Sequence, residues 1–287
     1  MIYKNENLSK YSWFNLGGPA KIFFKPDHEE DLINFLKKDA HKEKNIYFLG
    51  AGSNTLFRDP GFNGIIIKLG KSFSNIKLLD NSKIEAGAAS LDKKISDFAL
   101  ENSISGLEFL SCIPGSIGGG ISMNSGCYGY DISKTFFSLK AMNSKGEIKQ
   151  FNKNDINFFY RGSDFPKDLI ILSVILEGTP GEKKSITNKQ LKFIKTKKET
   201  QPSQIKTCGS TFKNTNNKKA WELIKLSKCS DLTIGGASIS KKHNNFFVNN
   251  GKATSSDIEK LIEKVKTEVH SKTGISLDLE IKIIGDK

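Results

Sequence analysis

An α+β fold follows from three features of the sequence. Short runs of strand composition alternate with segments of helical periodicity along the 287-residue chain. A glycine-rich stretch over residues 110–129 separates them near the middle. No repeat of fixed period is visible, which sets aside solenoid and propeller architectures. The length suits one large domain or about two to three small ones. A hydrophobic fraction of 37% is enough for a core.

The elements run as follows. Residues 20–25 read as a strand that turns at Pro26. Asp27 is placed to cap the next helix, with Glu30 at the capping-box position. Leu32, Ile33, Phe35 and Leu36 supply the apolar face of that helix. A strand over 45–49 feeds the turn Gly50-Ala51-Gly52-Ser53-Asn54, and another covers 64–69. A second region opens near Ile76, with strands over 76–79 and 83–86 and a helix over 91–100. Strands recur over 136–141 and 170–176, the latter a β run of the buried kind. Pro180-Gly181 marks a boundary. Beyond it, 189–198 and 220–226 read as helices. Thr254 caps a helix whose one face carries Ile258, Leu261, Ile262, Val265 and Val269, ending at Gly274. A terminal strand spans 277–284.

Composition narrows the function classes. The net charge of +13 suits anionic, phosphorylated ligands. Its lysines, as in Lys183-Lys184 and Lys197-Lys198, are scattered among Asn and Ser, with no basic groove interleaved by aromatics. Nucleic-acid binding is therefore not expected. Cys112, Cys127, Cys208 and Cys229 form no CxxC pair, which argues against a metal site or a redox dithiol and fits reduced thiols in a cytoplasm. No signal-peptide core and no apolar run of about 18 residues is present, so no membrane partner is expected.

Several segments can carry chemistry. Gly50, Ala51, Gly52, Ser53 and Asn54 follow a strand, where glycines let backbone amides approach phosphate oxygens. The segment matches neither GxGxxG nor a P-loop, and a plain βα turn is the alternative. Pro114, Gly115, Ser116, Gly118 and Gly119, with Asn124 and Gly126, serve poorly as a core or a helix. A flat ligand pressed on open backbone explains them, as does a tight crossover between strands. Arg161, in Tyr160-Arg161-Gly162-Ser163, offers a fork for a carboxylate, or else a surface ion pair. The turn Cys208-Gly209-Ser210-Thr211-Phe212-Lys213-Asn214 joins a possible proton donor, Ser210, to a nearby cation. Glu280 lies in an apolar run, on the face it shares with Asp278 and Lys282, which is equally a solvated strand face. His243 is a catalytic candidate or a loop residue.

Taken in order, these segments resemble the UDP-N-acetylenolpyruvoylglucosamine reductase (MurB) family over nearly the whole chain. The resemblance starts at Ser12-Trp13-Phe14-Asn15-Leu16-Gly17-Gly18-Pro19-Ala20 and passes through the turn 50–54. It is most specific at Gly106-Leu107-Glu108-Phe109-Leu110, Ile113-Pro114-Gly115-Ser116-Ile117-Gly118-Gly119 and Met123-Asn124-Ser125-Gly126. The Tyr160 and Gly209 segments, His243-Asn244-Asn245-Phe246 and Leu277-Asp278-Leu279-Glu280 complete it. The chain departs from the family pattern at Cys112, Thr215, Lys228 and Cys229. Its short 180–202 stretch resembles the class without a long tyrosine-bearing insertion.

The resemblance implies a PCMH-type FAD-binding fold of two subdomains, 1–75 and 76–180. A C-terminal α+β substrate-binding domain would cover 181–276, and a terminal strand, 277–287, would return toward the flavin region. It implies FAD, bound by the two glycine-rich segments, and NADPH as reductant. The substrate is then a UDP-linked enolpyruvyl amino sugar, reduced to UDP-N-acetylmuramate for peptidoglycan in the cytoplasm. No metal and no obligate protein partner are implied. Ser210 matches the family's proton donor, and Arg161 and Glu280 match residues that stabilise the enolate-like state. Another PCMH-type FAD-dependent oxidoreductase is the alternative.

Overall fold

A computed structural model describes residues 1–38 and 45–287. They divide into two compact units. One contains Met1–Tyr3, Phe23–Ala51 and Gly64–Lys197; the other contains Lys4–Ile22, Gly52–Asn63 and Lys198–Lys287.

In the first unit, helix α1 (Glu29–Lys38) buries Leu32, Phe35 and Leu36, and Phe35 stacks on Phe24 at 3.9 Å. Its N-terminus is capped differently from the expected Asp27–Glu30 box. The Asp31 carboxylate accepts from the amides of His28 (3.0 Å) and Asp27 (3.1 Å), which holds its pKa below the usual range. The strand Ile46–Phe48 runs parallel to Phe62–Ile67, with Tyr47 opposite Ile66.

The centre of this unit is an antiparallel five-stranded sheet in the order Ile148–Asn152, Phe136–Met142, Ile170–Glu177, Lys83–Gly87, Ile76–Leu78. Ile170–Glu177 sits in the middle, and Ile170, Ile171, Leu172, Val174 and Leu176 are all buried, as its predominantly apolar sequence requires. Helix α2 (Asp92–Glu101) contributes Ile95 and Ala99 to the same core. The glycine-rich stretch is not the helix-free loop its composition suggests, because helix α3 (Ile117–Met123) runs through Gly118, Gly119 and Gly120. The reason is close packing. A Cβ on Gly118 would lie 3.0 Å from that of Ala88, and one on Gly120 would lie 2.6 Å from Ile132 Cδ1. Helix α4 (Lys183–Thr200) starts earlier than its periodicity indicates. It buries Ile186 and Phe193, and Gln190 donates to the Ser96 carbonyl at 3.0 Å.

In the second unit, a three-stranded antiparallel sheet (Thr233–Ile234, Ala237–Ser240, His243–Asn249) packs with helices α5 (Ala220–Leu226) and α6 (Ser255–Thr273). Helix α6 follows its sequence closely. Thr254 Oγ1 accepts from the Asp257 amide, Asp257 reaches back to the Thr254 amide, and Gly274 closes the helix at φ 70°. The terminal strand is regular only over Lys282–Ile284, parallel to Thr55–Phe57. Residues 277–281 instead make a single bridge, Leu279 to Phe212, while Leu277 and Ile281 stay buried at 2% exposure each. Among the described residues, no helix is long and apolar enough to cross a membrane.

Candidate active site

In the first unit the two glycine-rich segments meet. A Cβ on Gly50 would stand 2.7 Å from Ser116 Oγ and 3.8 Å from Gly119 Cα. Glycine at 50 therefore leaves room that any side chain would fill. Ser116 begins α3 but makes no cap bond with its hydroxyl. That hydroxyl is buried and has no hydrogen-bond partner. Such a group costs stability unless something else satisfies it. Ala51 follows Gly50, and Gly52, Ser53 and Asn54 belong to the other unit.

The rest of the second segment is held by its neighbours. The Gly115 carbonyl accepts from the Asp92 amide at 3.1 Å, after Pro114. Gly118 donates to the Ala88 carbonyl at 3.0 Å. Asn124 ends α3 in the left-handed region at φ 40°, donates to the Phe159 carbonyl, and accepts from the Ser133 amide. Gly126 pairs with Asp131, where a Cβ would meet the Tyr130 carbonyl at 2.2 Å.

Tyr160 and Arg161 form the two-residue turn between Phe158–Phe159 and Gly162–Ser163. Arg161 takes φ 56°, and its guanidinium lies 5.2 Å from the Tyr160 ring centroid. The turn edges a cavity of about 220 Å³ that is also lined by Asn124, Asp131 and Ser133. Arg161 and Asn124, distant in sequence, thus share one hollow.

Two titratable groups beside this cradle carry no motif. Lys68 Nζ donates to the Gly50 carbonyl, and burial, with Lys25 nearby, pulls its pKa down to about 8. Its signal was a lone cation directly after the buried run Ile65-Ile66-Ile67. Asp92 is fully buried, its oxygens have no partner, and burial pushes its pKa up to about 8. A Cβ on Gly115 would lie 2.6 Å from Asp92 Oδ2. Asp92 looks in sequence like any first-turn acid, so nothing marked it.

In the second unit, the extended segment 210–213 lies between two others. On one side Ser210 bridges to Phe246, and the Thr211 amide donates to the Asn245 carbonyl at 2.8 Å. Asn245 also clamps Phe212, accepting from its amide at 2.9 Å and donating to its carbonyl at 2.8 Å. On the other side the Glu280 amide donates to the Thr211 carbonyl at 2.8 Å. The Asn54 side chain donates to the Glu280 carbonyl at 3.0 Å, and Lys282 donates back to the Asn54 carbonyl at 2.9 Å. Ser210, Glu280 and Asn54 therefore sit on one hydrogen-bonded lattice, with Ser210 and Glu280 both part-exposed. Gly209 takes φ 78°, a left-handed turn that leads into Ser210. Gly52 takes φ 71°, with Tyr11 O only 1.8 Å from where its Cβ would be.

His243 Nδ1 accepts from the Asn245 amide at 3.2 Å, and its ring stands 4.7 Å from that of Phe246. Burial lowers its pKa, so it supports Asn245 as a neutral ring. In the sequence Asn245 is one residue of the segment 243–246, and its clamp on Phe212 appears only in three dimensions.

Comparison with known proteins agrees with this arrangement. A model of the FAD-binding domain matches residues 20–152, and the C-terminal domain of UDP-N-acetylenolpyruvoylglucosamine reductase matches 201–284. The chain is 50% identical to the UDP-N-acetylenolpyruvoylglucosamine reductase of Pelagibacter ubique, covering 97% of this chain and 93% of that one. It is 43% identical to the reductase of Rickettsia akari over 98% of its length and 95% of the relative's. The crystal structure of the reductase from Thermus caldophilus superimposes with a TM-score of 0.85 at 27% identity, covering 99% and 98% of the two chains. Relatedness of this extent, through both units and across the cradle and the Ser210 lattice, makes the chain a member of the UDP-N-acetylenolpyruvoylglucosamine reductase (MurB) family.

Proposed function

We infer that the chain catalyses the FAD-dependent, NADPH-driven reduction of UDP-N-acetyl-3-O-(1-carboxyvinyl)-glucosamine to UDP-N-acetylmuramate, a step of peptidoglycan precursor synthesis. The observation that carries this reading is agreement along the full chain with reductases of this activity. The reaction belongs in the cytoplasm, where nucleotide-linked precursors and NADPH meet.

The residues of the cradle fit FAD. An unsatisfied buried Ser116 hydroxyl stands where Gly50 and Gly119 leave backbone bare. Ser116 would donate to the bound group, and Gly50, Ala51, Pro114, Gly115, Gly118 and Gly119 would line it. Gly52, Ser53 and Asn54, with Asn124 and Gly126, are the remaining contacts we assign. Lys68, adjacent to Gly50, supplies a cation for its diphosphate. FAD, when bound, carries the two electrons between NADPH and the enolpyruvyl double bond.

The chain's own residues do the rest. Arg161 pairs with the substrate carboxylate and with the charge that spreads onto it as the double bond is reduced. Ser210 gives a proton to the carbon next to the carboxylate. A Ser hydroxyl is a weak acid, so its position must be fixed, and the Asn245 clamp on Phe212, two residues on, holds the segment that carries it. Glu280 assists as a protonated or hydrogen-bonded carboxyl, since a bare carboxylate would repel the developing charge.

The test is stoichiometry. One NADPH should be consumed for each enolpyruvyl nucleotide reduced, with little oxidation in its absence. Turnover of a hydroxylated substrate with oxygen, and none of the enolpyruvyl nucleotide, would instead show another PCMH-type oxidoreductase.

A further inference from the structure

Asn124 closes α3 in the left-handed region at φ 40°, where asparagine sometimes replaces glycine. Glycine would serve that backbone as well, so the helix end alone does not account for the side chain. The residue is only 5% exposed, and both ends of its amide are used. Nδ2 donates to the Phe159 carbonyl at 3.2 Å, and Oδ1 accepts from the Ser133 amide at 3.0 Å. A backbone carbonyl can only accept and a backbone amide can only donate. The two partners therefore fix which way the amide points, and neither belongs to α3.

Phe159 is the last residue before the Tyr160–Arg161 turn. Within that hairpin, Phe158 pairs with Ser163 and Phe159 with Gly162. At its open end the Asn157 amide donates to Asp164 Oδ1 at 2.8 Å, and the Asp164 amide donates to the Asn157 carbonyl at 3.1 Å. A Cβ on Gly162 would lie 2.1 Å from Phe159 Cε2, so glycine lets that ring lie against the opposite strand. These contacts fix the hairpin internally, and the Asn124 bond ties it to α3. The turn needs such an anchor. Arg161 takes φ 56°, a conformation that a residue with a side chain holds only when its surroundings impose it. Asn124 and Arg161 also line one cavity, with Asp131 and Ser133. At the other end of α3 stands Ser116, whose buried hydroxyl belongs to the cradle.

We propose that Asn124 is a positioning residue for Arg161. Its amide ties the end of the cradle helix to the Arg161 turn and so sets the guanidinium where the substrate carboxylate meets it. This rests on the reading of Arg161 given above. Asn124 brings no charge of its own, so it acts on the reacting carboxylate through Arg161. Its loss is felt when the enolpyruvyl nucleotide reoxidises the flavin.

The experiment is a double-mutant cycle on that reoxidation, in single turnovers of FAD-loaded, NADPH-reduced protein without oxygen. The variants are Asn124→Asp, Arg161→Lys and the two combined. Aspartate has the shape of asparagine and tolerates the left-handed region, but its carboxylate cannot donate to the Phe159 carbonyl. Asn124→Asp should slow reoxidation about tenfold or more near about pH 8. With Arg161→Lys already present, it should slow it by no more than about threefold further. At about pH 5 much of the rate relative to wild type should return, because a protonated carboxyl again donates to Phe159. Asp131 and Arg161 are the charged groups lining that cavity, and both are present in the wild type to which each rate is referred. Asn124→Gly keeps the helix end but lacks both bonds, so its loss should be the same at either pH. Should Asn124→Asp fail to fold, Asn124→Gly takes its place in the cycle with the same expected coupling. Penalties that multiply in the combined variant would overturn the proposal, as would a loss in Asn124→Asp that does not change with pH. Wild-type protein that leaves the nucleotide unchanged would contradict the proposed function itself. Multiplying penalties in an active protein contradict only the role of Asn124.

Discussion

At the scale of single residues, Ser210 and Asp92 give the sharpest expectations. Ser210→Ala should leave reduction of the flavin by NADPH unchanged and slow reduction of the enolpyruvyl substrate about 10²- to 10⁴-fold. Stopped-flow measurement of the two half-reactions checks this, and normal rates in both would remove Ser210 as donor. Asp92 carries a stability expectation. Burial raises its pKa to about 8, whereas the unfolded chain ionises near the ordinary value of 3.8. Folding therefore takes up a proton between those two values, and stability present below the lower one is lost as pH rises toward the upper one. The loss is about 1.4 kcal/mol per pH unit in that window. Asp92→Asn has no charge to desolvate, so it should melt higher than wild type at pH 8 and much like it at pH 4. Equal melting curves at both would contradict the assignment. Asp92 was not legible in the sequence, because its burial is set by α3 lying over it and a first-turn acid is ordinarily solvated. Ser210 was legible only through its segment. Its bridge to Phe246, and the Asn245 clamp on Phe212 two residues on, depend on a pairing between chain regions that no local pattern encodes.

At the scale of elements, local signals were read best where the physics is local. Helix α6 has its cap, its apolar stripe and its terminal glycine in one continuous stretch, and all three fall where the sequence put them. Thr254→Ala should cost about 1 kcal/mol, seen as a lower denaturation midpoint with an unchanged slope. Helix α3 is the opposite case. Its glycines have poor helix propensity, yet the packing of Gly118 on Ala88 and Gly120 on Ile132 decides the matter. The shortened terminal strand has a similar origin, since residues 277–281 use their amides on the 210–213 segment instead of continuing a regular ladder. Gly50→Ala places a methyl against the Ser116 hydroxyl. We expect flavin affinity to fall about tenfold or more while the flavin-free protein melts within a few degrees of wild type. Unchanged flavin affinity in a titration would show that the meeting of Gly50 and Ser116 is only a packing contact.

At the scale of the whole molecule, the order of the segments identified the family, while composition alone left several classes open. The +13 charge suited any anionic ligand, and only the glycine segments, Arg161 and the Ser210 turn in sequence order narrowed it. The FAD-binding domain match covers most of the first unit and short pieces of the second, and the match to the reductase's C-terminal domain falls in the second, which gives that order a physical form. The division was only partly legible, since pieces from residues 4–22 and 52–63 join the C-terminal residues in one unit. Long-range strand and side-chain pairings decide this, such as Thr55–Phe57 with Lys282–Ile284 and the Arg58 fork on Glu259 at 2.8 Å. The most direct measurement of the central claim is a single turnover without oxygen. Protein reconstituted with FAD and bleached by one equivalent of NADPH is mixed with the enolpyruvyl nucleotide. The flavin absorbance should return as UDP-N-acetylmuramate appears in equal amount, and a flavin that stays reduced with the nucleotide unchanged would contradict the account.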